Sequence, residues 1–227
     1  MTLGRFEKRV PEEEVEIQFY KRLLRKNPEK IHLLDFLANA LFNQAEYVEA
    51  IHCWKKLLRK SIVKDEIRLY IKIGQAYESL GEAEQAYYYY GEAIKRNPKN
   101  IELISKFGQI SYIIENFEDA LKSFKIVVQA EPDNEIATHN LGLSYYNLGY
   151  HDEALEYLEA SLELDNEGAD SWYALATIYA ENYLIDDALI ALEKALTLDM
   201  SLRENARSEL SFYTLAHSSL FQFLVNI

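Results

Sequence analysis

The sequence contains few residues that interrupt helices and cannot form an internal disulfide. Only 8 glycines and 4 prolines occur in 227 residues, a composition that favours helices joined by short connections over many short strands. Cys53 is the single cysteine, so no intrachain disulfide is possible, which fits a reducing compartment. At the same time 49% of the residues are hydrophobic, enough for a sizeable core. We therefore expect an ordered, all-α chain.

Long apolar runs are also missing. The sequence has no stretch of about 18 purely apolar residues, and the first ten residues, MTLGRFEKRV, lack the apolar core of a signal peptide. These absences predict that the chain has no transmembrane segment and that it is cytoplasmic.

Basic residues are scarce in one part of the chain. Residues 135–202 contain one Lys or Arg and 14 Asp or Glu, and the whole chain has a net charge of -13. Such a surface repels nucleic acid and anionic lipid, so we expect no nucleic-acid partner. The acidic part is interpreted either as a solvated outer face or as a surface for a basic partner.

Motifs that carry catalysis or bind metals are absent from the sequence. It contains no glycine-rich phosphate loop, no GxSxG and no HExxH. No histidine is paired with another ligand at metal-binding spacing; the five are His32, His52, His139, His151 and His217. The sequence therefore predicts no enzyme activity, no cofactor and no metal site.

The feature that is present is an internal repeat of 34 residues. An alanine recurs at this step four times, at Ala86, Ala120, Ala154 and Ala188. Three other positions keep the same step: Gly74, Gly108, Gly142 and Ala176; Tyr90, Phe124, Leu158 and Leu192; and the prolines Pro98 and Pro132. In the first set, glycine in the middle of a helix is expected where a neighbouring helix approaches closely.

With these residues the chain resembles the tetratricopeptide repeat family, whose pattern is W-x2-L-G-x2-Y, then A-x3-F, then P. In residues 67–100 the pattern falls on Tyr70, Ile73, Gly74, Tyr77, Ala86, Tyr90 and Pro98. The next repeats follow it less strictly, and Ser111 stands where an aromatic residue is expected. The earliest repeat, residues 31–66, is looser and needs two extra residues near Ser61–Glu66 to restore the register.

The resemblance implies a right-handed superhelical solenoid of five helix-turn-helix repeats, with a leading half-repeat and a C-terminal cap helix. The expected divisions are residues 1–30, the repeats 31–66, 67–100, 101–134, 135–168 and 169–202, and the cap 203–227. No unit is expected to be stable alone, because stacking between neighbours supplies most of the buried surface. Within residues 202–227 we expect a single helix with Leu210, Tyr213, Leu220 and Leu224 on its inner stripe.

The resemblance also implies that the first helix of each repeat lines an inner groove, where a peptide segment of a partner protein would bind. The groove positions predicted in this way are Asn39, Phe42, Arg68, Ile71, Gln75, Gln109, Tyr112, His139, Leu143, Tyr146, Tyr173 and Thr177. The alternative interpretation is that some of the aromatic members only pack between helices.

Two other surface features have competing interpretations. In the run Tyr87–Tyr90, Tyr90 is expected in the core, whereas Tyr88 and Tyr89 are expected to be exposed. The basic stretches 21–26 and 55–60 either form a ridge for an acidic partner or simply complement the dipoles of helix C-termini.

The function predicted from these observations is a non-catalytic adaptor or scaffold that holds a partner segment in its concave groove. Two alternatives stay open at this point. The first is a chaperone-like holder of apolar client segments. The second is a structural subunit that forms homo-oligomers through its C-terminal tail, because residues 210–227 contain no Asp, Glu, Lys or Arg.

Overall fold

A computed structural model describes residues 12–60 and 66–226, and every regular element in these ranges is helical. The chain divides into two compact units, residues 1–103 and 104–227. The α-helices are α1 (Glu12–Lys26), α2 (Leu33–Asn43), α3 (Tyr47–Leu58), α4 (Glu66–Ser79), α5 (Ala83–Arg96), α6 (Ile101–Ile113), α7 (Phe117–Ala130), α8 (Glu135–Asn147), α9 (His151–Leu164), α10 (Ala169–Glu181), α11 (Ile185–Leu198), α12 (Arg203–Ser208) and α13 (Ser219–Asn226).

The helices pack as consecutive antiparallel pairs, as the repeat predicts. Helix α2 packs on α3, α4 on α5, α8 on α9, and α10 on α11. The second helix of a pair also packs on the first helix of the next pair, as α3 does on α4, α7 on α8, and α9 on α10. Helix α1 packs on α2 and begins at Glu12, where the sequence predicts a lone leading helix. The predicted two-residue insertion falls on residues 61–65, which lie outside the described residues.

Each repeat buries a large side chain at the same position between its two helices. These side chains are no more than 1% exposed: Trp54, Tyr90, Phe124, Leu158 and Leu192. The alanine four residues earlier in each second helix is completely buried. Full burial of each large apolar side chain contributes roughly 1.5–3 kcal/mol. The 34-residue period therefore corresponds to one layer of core for each repeat.

Glycine in the first helices allows these buried side chains to approach the backbone. A Cβ atom at Gly74 would lie 2.6 Å from Cε1 of Tyr90, and one at Gly142 would lie 2.8 Å from Cγ of Leu158. Carbon atoms in contact prefer a separation of about 3.5–4.0 Å, so neither position has room for a side chain. The predicted close approach is confirmed at both glycines.

The turn between the two helices of every repeat has one backbone geometry. The second residue after the first helix has a positive φ, of 59° at Ala45, 74° at Gly81, 61° at Glu115, 81° at Gly149 and 60° at Tyr183. The next N–H donates to the carbonyl five residues earlier, for example from Glu82 to Tyr77 at 2.9 Å. This is the Schellman ending of a helix, which satisfies carbonyls that the helix leaves unpaired.

A lysine over two stacked tyrosines recurs two repeats apart. Lys55 Nζ lies 5.0 and 5.3 Å from the ring centroids of Tyr77 and Tyr89, which are stacked 5.6 Å apart. Because of these contacts Tyr89 is half-buried, and the prediction that it is exposed is wrong. Tyr90 is completely buried and Tyr88 is 57% exposed, so the other two expectations are confirmed.

The equivalent contact in unit 2 involves Lys125, which lies 4.9 Å from the centroid of Tyr145, and Tyr145 stacks on Tyr157 at 5.4 Å. In the repeat between the two, the tyrosine positions hold Ser111 and Ser123. Both serines are buried, and their hydroxyls donate to carbonyls of their own helices, both at 2.7 Å. The departure of Ser111 from the aromatic pattern is thus matched by a small residue on the facing helix.

The C-terminal segment differs from the single helix that the sequence predicts. It consists of a 3₁₀ segment (Met200–Leu202), α12, a second 3₁₀ segment (Leu210–Leu215) and α13. Helix α12 ends because Glu209 is extended, with φ -70° and ψ 120°. Its carboxylate accepts a hydrogen bond from the N–H of Ser211 at 3.3 Å.

The change of direction also changes which side chains of the tail are buried. Leu210 and Tyr213, predicted on the inner stripe, are 87% and 79% exposed. The buried side chains of the 3₁₀ segment are Phe212 and Leu215 instead. The segment still packs against α10 and α11, so it caps the last helix pair.

In the part of the chain that the structure describes, no helix is long and apolar enough to span a membrane.

Candidate functional site

First helices α6, α8 and α10 of unit 2 line a cavity of about 370 Å³. Six of the predicted groove residues line it together: Tyr112, His139, Leu143, Tyr146, Tyr173 and Thr177. They come together because they occupy equivalent positions of stacked repeats, such as Tyr112 and Tyr146 or His139 and Tyr173, which are 34 residues apart.

The remaining lining residues are Asn147, Asp170, Ala174 and Glu209, which the groove prediction missed. Asn147 and Asp170 lie near the ends of α8 and α10, where a pattern based on helix faces is least informative. Glu209 reaches the cavity only because the C-terminal segment turns back at this residue. The sequence around Glu209 contains no signal for that turn.

Two tyrosine hydroxyls of the cavity are held by neighbouring polar groups. Asn147 Nδ2 donates to the hydroxyl of Tyr112 at 3.0 Å, and the hydroxyl of Tyr146 donates to Glu181 Oε1 at 2.7 Å. Burial raises the pKa of Tyr146, and so does the hydrogen bond to Glu181. Burial also raises the pKa of Tyr112, against the effect of the Asn147 bond. Both rings are therefore neutral and fixed in orientation at neutral pH.

Tyr173 differs from the other two tyrosines. Its ring packs edge-on against Phe212 of the C-terminal segment, with the ring centroids 5.5 Å apart. Its hydroxyl oxygen is buried, and within the described residues it has no hydrogen-bond partner. Burial, together with the nearby charge of Glu209, raises the pKa of Tyr173 to about 12. A buried hydroxyl without a partner costs about 1–3 kcal/mol, so a shift of the ring that let this oxygen pair with a ligand would recover that free energy.

His139 connects α8 to α10 beside the cavity. Its Nδ1 lies 2.6 Å from the hydroxyl of Ser171, which in turn lies 3.0 Å from that of Ser161 on α9. Burial lowers the pKa of His139, and the carboxylate of Asp170 opposes this effect only in part. The imidazole is therefore neutral at pH 7 and joins three helices through hydrogen bonds.

Thr177 and Gln109 present little polar surface to the cavity, although both are predicted groove residues. The hydroxyl of Thr177 donates to the carbonyl of Tyr173 within its own helix at 3.0 Å, and the side chain is only 8% exposed. Gln109 is half-buried on α6 and does not line the cavity.

Three of the five groove positions predicted in unit 1 contact side chains of neighbouring helices. Arg68 forms an ion pair with Asp35 at 2.8 Å, and Lys72 donates to the side chain of Asn39. The ring of Phe42 packs 5.9 Å from that of Trp54, so this residue follows the alternative interpretation of helix packing. The other two positions, Ile71 and Gln75, are half-buried on α4.

Within residues 12–60 and 66–226, no group of three or more His, Cys, Asp or Glu side chains is arranged to hold a metal ion. Cys53 is buried, and burial raises the pKa of its thiol. A thiol of this kind is a poor nucleophile.

Comparison with known families gives two matches that together cover residues 67–100 and 116–195. Residues 67–100 match the family model described as tetratricopeptide repeat. Residues 116–195 match the model described as anaphase-promoting complex, cyclosome, subunit 3. A comparison with curated proteins gives no match.

Solved structures with similar folds cover most of this chain. YrrB, described as a TPR protein with an unusual peptide-binding site, has a TM-score of 0.69 and 23% identity over 84% of this chain and 98% of its own. A MamA RS-1 double mutant has a TM-score of 0.67 and 21% identity, covering 76% and 96%. MamA from Desulfovibrio magneticus RS-1 has a TM-score of 0.62 and 19% identity, covering 84% and 96%. These structures show that the chain has the fold of tetratricopeptide repeat proteins, in line with the 34-residue repeat and with the family model that matches residues 67–100.

Proposed function

We propose that the protein is a non-catalytic adaptor that holds a segment of a partner protein against the first helices of unit 2. The observation that carries the proposal is the cavity between α6, α8 and α10, in which Tyr112, Tyr146 and Tyr173 face one space of about 370 Å³. A volume of this size falls within the range of about 300–1,000 Å³ that ligand-binding clefts occupy.

The tyrosines suit this role for a physical reason. A tyrosine offers a large apolar ring and a polar hydroxyl, and it loses little conformational entropy on binding. Tyr112 and Tyr146 are already held by hydrogen bonds to Asn147 and Glu181, so they lose even less conformational entropy when a partner binds. Repeat arrays commonly bind partners on surfaces that equivalent positions of stacked repeats create. A neighbour in fold, YrrB, is described as having an unusual peptide-binding site, and this also supports the proposal.

The proposal concerns unit 2 because six of its predicted groove residues line one cavity. Two polar groove positions of unit 1, Asn39 and Arg68, are engaged by neighbouring side chains. Asn39 accepts from Lys72, and Arg68 is paired with Asp35. A partner that used these groups would first have to break existing bonds.

The test is affinity capture of partners with the double variant Tyr112→Ala and Tyr146→Ala. We expect the captured amount of a bound partner to fall by about tenfold or more, because buried aromatic residues at the centre of an interface commonly contribute over 1 kcal/mol each. The matched control is Tyr88→Ala with Tyr183→Ala, which removes two tyrosines that are 57% and 77% exposed elsewhere. Circular dichroism and thermal unfolding establish that both variants are folded. If the groove variant captures the same partners in the same amounts as the control, the proposal is wrong.

A chaperone-like holder of apolar segments is less well supported than an adaptor. Its binding surface should be predominantly apolar, whereas this cavity also contains His139, Asn147, Asp170 and Glu209. The exposed apolar side chains of the C-terminal tail, Leu210, Tyr213 and Phe223, favour a homo-oligomer as the second candidate.

A further inference from the structure

A second cavity, of about 450 Å³, adjoins the tyrosine-lined one and shares His139 and Asp170 with it. Four carboxylates line the second cavity: Glu135, Asp165, Asp170 and Asp199. They come from the starts of α8 and α10 and from the residues that follow α9 and α11, which the stacking of repeats brings to the same end of the unit. We call the residues that line these two adjoining cavities the acidic groove.

The acidic groove has negative charge without compensating cations in its walls. Five carboxylates line it, the four above and Glu209, and neither cavity is lined by a lysine or an arginine. Burial and the charge of Asp165 both raise the pKa of Glu135, which is the response of a carboxylate to low solvation and a like charge. The surrounding sequence adds little positive charge, because Lys194 is the single lysine or arginine in 135–202.

The tyrosine-lined part of the groove adds groups that favour a cation. The faces of aromatic rings attract ammonium and guanidinium groups. The same chemistry operates inside this protein, where Lys55 and Lys125 lie over tyrosine rings at 5.0 and 4.9 Å. The hydroxyl oxygen of Tyr173 is buried without a partner among the described residues, and a shift of the ring would let it accept a hydrogen bond from such a cation.

From these observations we propose that the acidic groove binds a basic segment of the partner, with lysine or arginine side chains against both the tyrosines and the carboxylates. This inference rests on the proposed function and specifies the chemistry of the partner. A basic segment suits both parts of the groove: its cations neutralise the carboxylates, and its aliphatic side-chain carbons pack on the rings. An acidic segment or a nucleic acid would be repelled by the same five carboxylates.

The experiment uses the full chain and three acetylated, amidated nonapeptides in which Ser alternates with Lys, Gln or Glu. Fluorescence anisotropy at about 150 mM salt measures their dissociation constants, because exposed charges more than about 8 Å apart are largely screened there. We expect saturable binding of the Lys peptide, binding of the Gln peptide that is at least about tenfold weaker, and none of the Glu peptide.

Two charge-matched variants separate the groove from general attraction to an acidic protein. Asp170→Asn with Glu209→Gln removes two charges of the groove, and the amide side chains keep an oxygen acceptor for Ser211. Glu163→Gln with Asp186→Asn removes two charges from exposed positions on α9 and α11. We expect the first variant to weaken binding of the Lys peptide about tenfold, and the second to change it less than about twofold.

Three results would overturn the inference: no saturable binding of the Lys peptide, equal weakening by the two variants, or equal binding of the Gln and Lys peptides. A titration with CaCl₂ in place of peptide tests whether the carboxylates bind a metal ion rather than a basic segment. Saturable calcium binding that the groove variant abolishes would assign the carboxylates to a metal ion instead. The proposed function fails separately, since it depends on loss of partners by the Tyr112→Ala and Tyr146→Ala variant. If that variant loses partners and the two carboxylate variants bind the Lys peptide equally well, only the inference that the partner segment is basic is wrong.

Discussion

At the scale of single residues, the turn inside each repeat imposes the same backbone demand on different side chains. Five residues have φ between 59° and 81°: Ala45, Gly81, Glu115, Gly149 and Tyr183. Glycine adopts this conformation without a steric penalty, whereas a residue with a Cβ pays about 1–2 kcal/mol. Nothing lies within 4 Å of a Cβ built at Gly81 or Gly149, so the demand comes from the backbone and not from packing.

We predict that Glu115→Gly and Tyr183→Gly each stabilise the protein. Relief of the backbone strain, about 1–2 kcal/mol, exceeds the extra entropy that glycine gives to the unfolded chain, about 0.4–1 kcal/mol. The expected gain is about 0.5–1 kcal/mol in the free energy of unfolding, measured by urea denaturation. The matched control is Gly149→Ala, which should lose a similar amount. A loss of stability in Glu115→Gly would show that its side chain makes a contact worth more than the strain.

At the scale of helices, the interface between α8 and α10 contains a histidine that the fold keeps neutral. His139 bonds to Ser171 of α10, and Ser171 contacts Ser161 of α9, so three helices share one polar chain. Burial lowers the pKa of His139 and Asp170 limits the shift. In the unfolded chain the same histidine titrates near its ordinary pKa, about 6.5.

We predict that unit 2 loses stability as the pH falls below about 6.5. With its folded pKa below the unfolded one, His139 binds a proton more readily in the unfolded chain, so the free energy of unfolding is highest above the unfolded pKa and decreases toward the folded one. Urea denaturation between pH 7.5 and about 5 measures this slope. His139→Gln should flatten it, because the variant lacks the titrating group. Parallel slopes in the wild-type protein and His139→Gln would contradict the prediction.

At the scale of the whole molecule, charge and apolar surface are unevenly distributed along the chain. Acidic residues dominate 135–202, whereas residues 210–227 contain no charged side chain. The tail buries Phe212, Leu215 and Phe221 and leaves Leu210, Tyr213 and Phe223 exposed by 87%, 79% and 61%. Exposed apolar side chains without flanking charge are a common feature of interfaces between copies of a protein.

We predict that the chain self-associates through this tail. Light scattering should give a mass that increases with concentration, and Leu210→Ser with Tyr213→Ser and Phe223→Ser should give the mass of one chain throughout. Substitution is preferable to truncation, because truncation would also remove the core residues Phe212 and Leu215. The control replaces three exposed apolar residues elsewhere, Val48, Ile113 and Ile190, with serine. A wild-type mass of one chain at all concentrations would exclude the homo-oligomer.

Much of the candidate site follows from the repeat, and the rest depends on where the chain changes direction. Tyr112, Tyr146 and Tyr173 were predicted to share a groove, because the period fixes which helix faces are equivalent, and they line one cavity. Phe42 was assigned to the same face but packs on Trp54, since a face predicted from spacing includes its partly buried edges. Glu209 was missed because its position depends on a break between α12 and the following 3₁₀ segment.

The amino-acid sequence by itself determined the helical fold and the layers of its core. The residue pattern that marks the buried positions lies within each repeat and recurs several times in succession. Gly74, Tyr90 and their equivalents could therefore be assigned from spacing alone. Only the tertiary structure decided which carboxylates meet and which aromatic residues of the tail are buried. Glu135, Asp165, Asp170 and Asp199 are separated by up to 64 positions in the chain and come together through the stacking of repeats. Local preference cannot specify such a cluster, because its members interact only after the helices have packed.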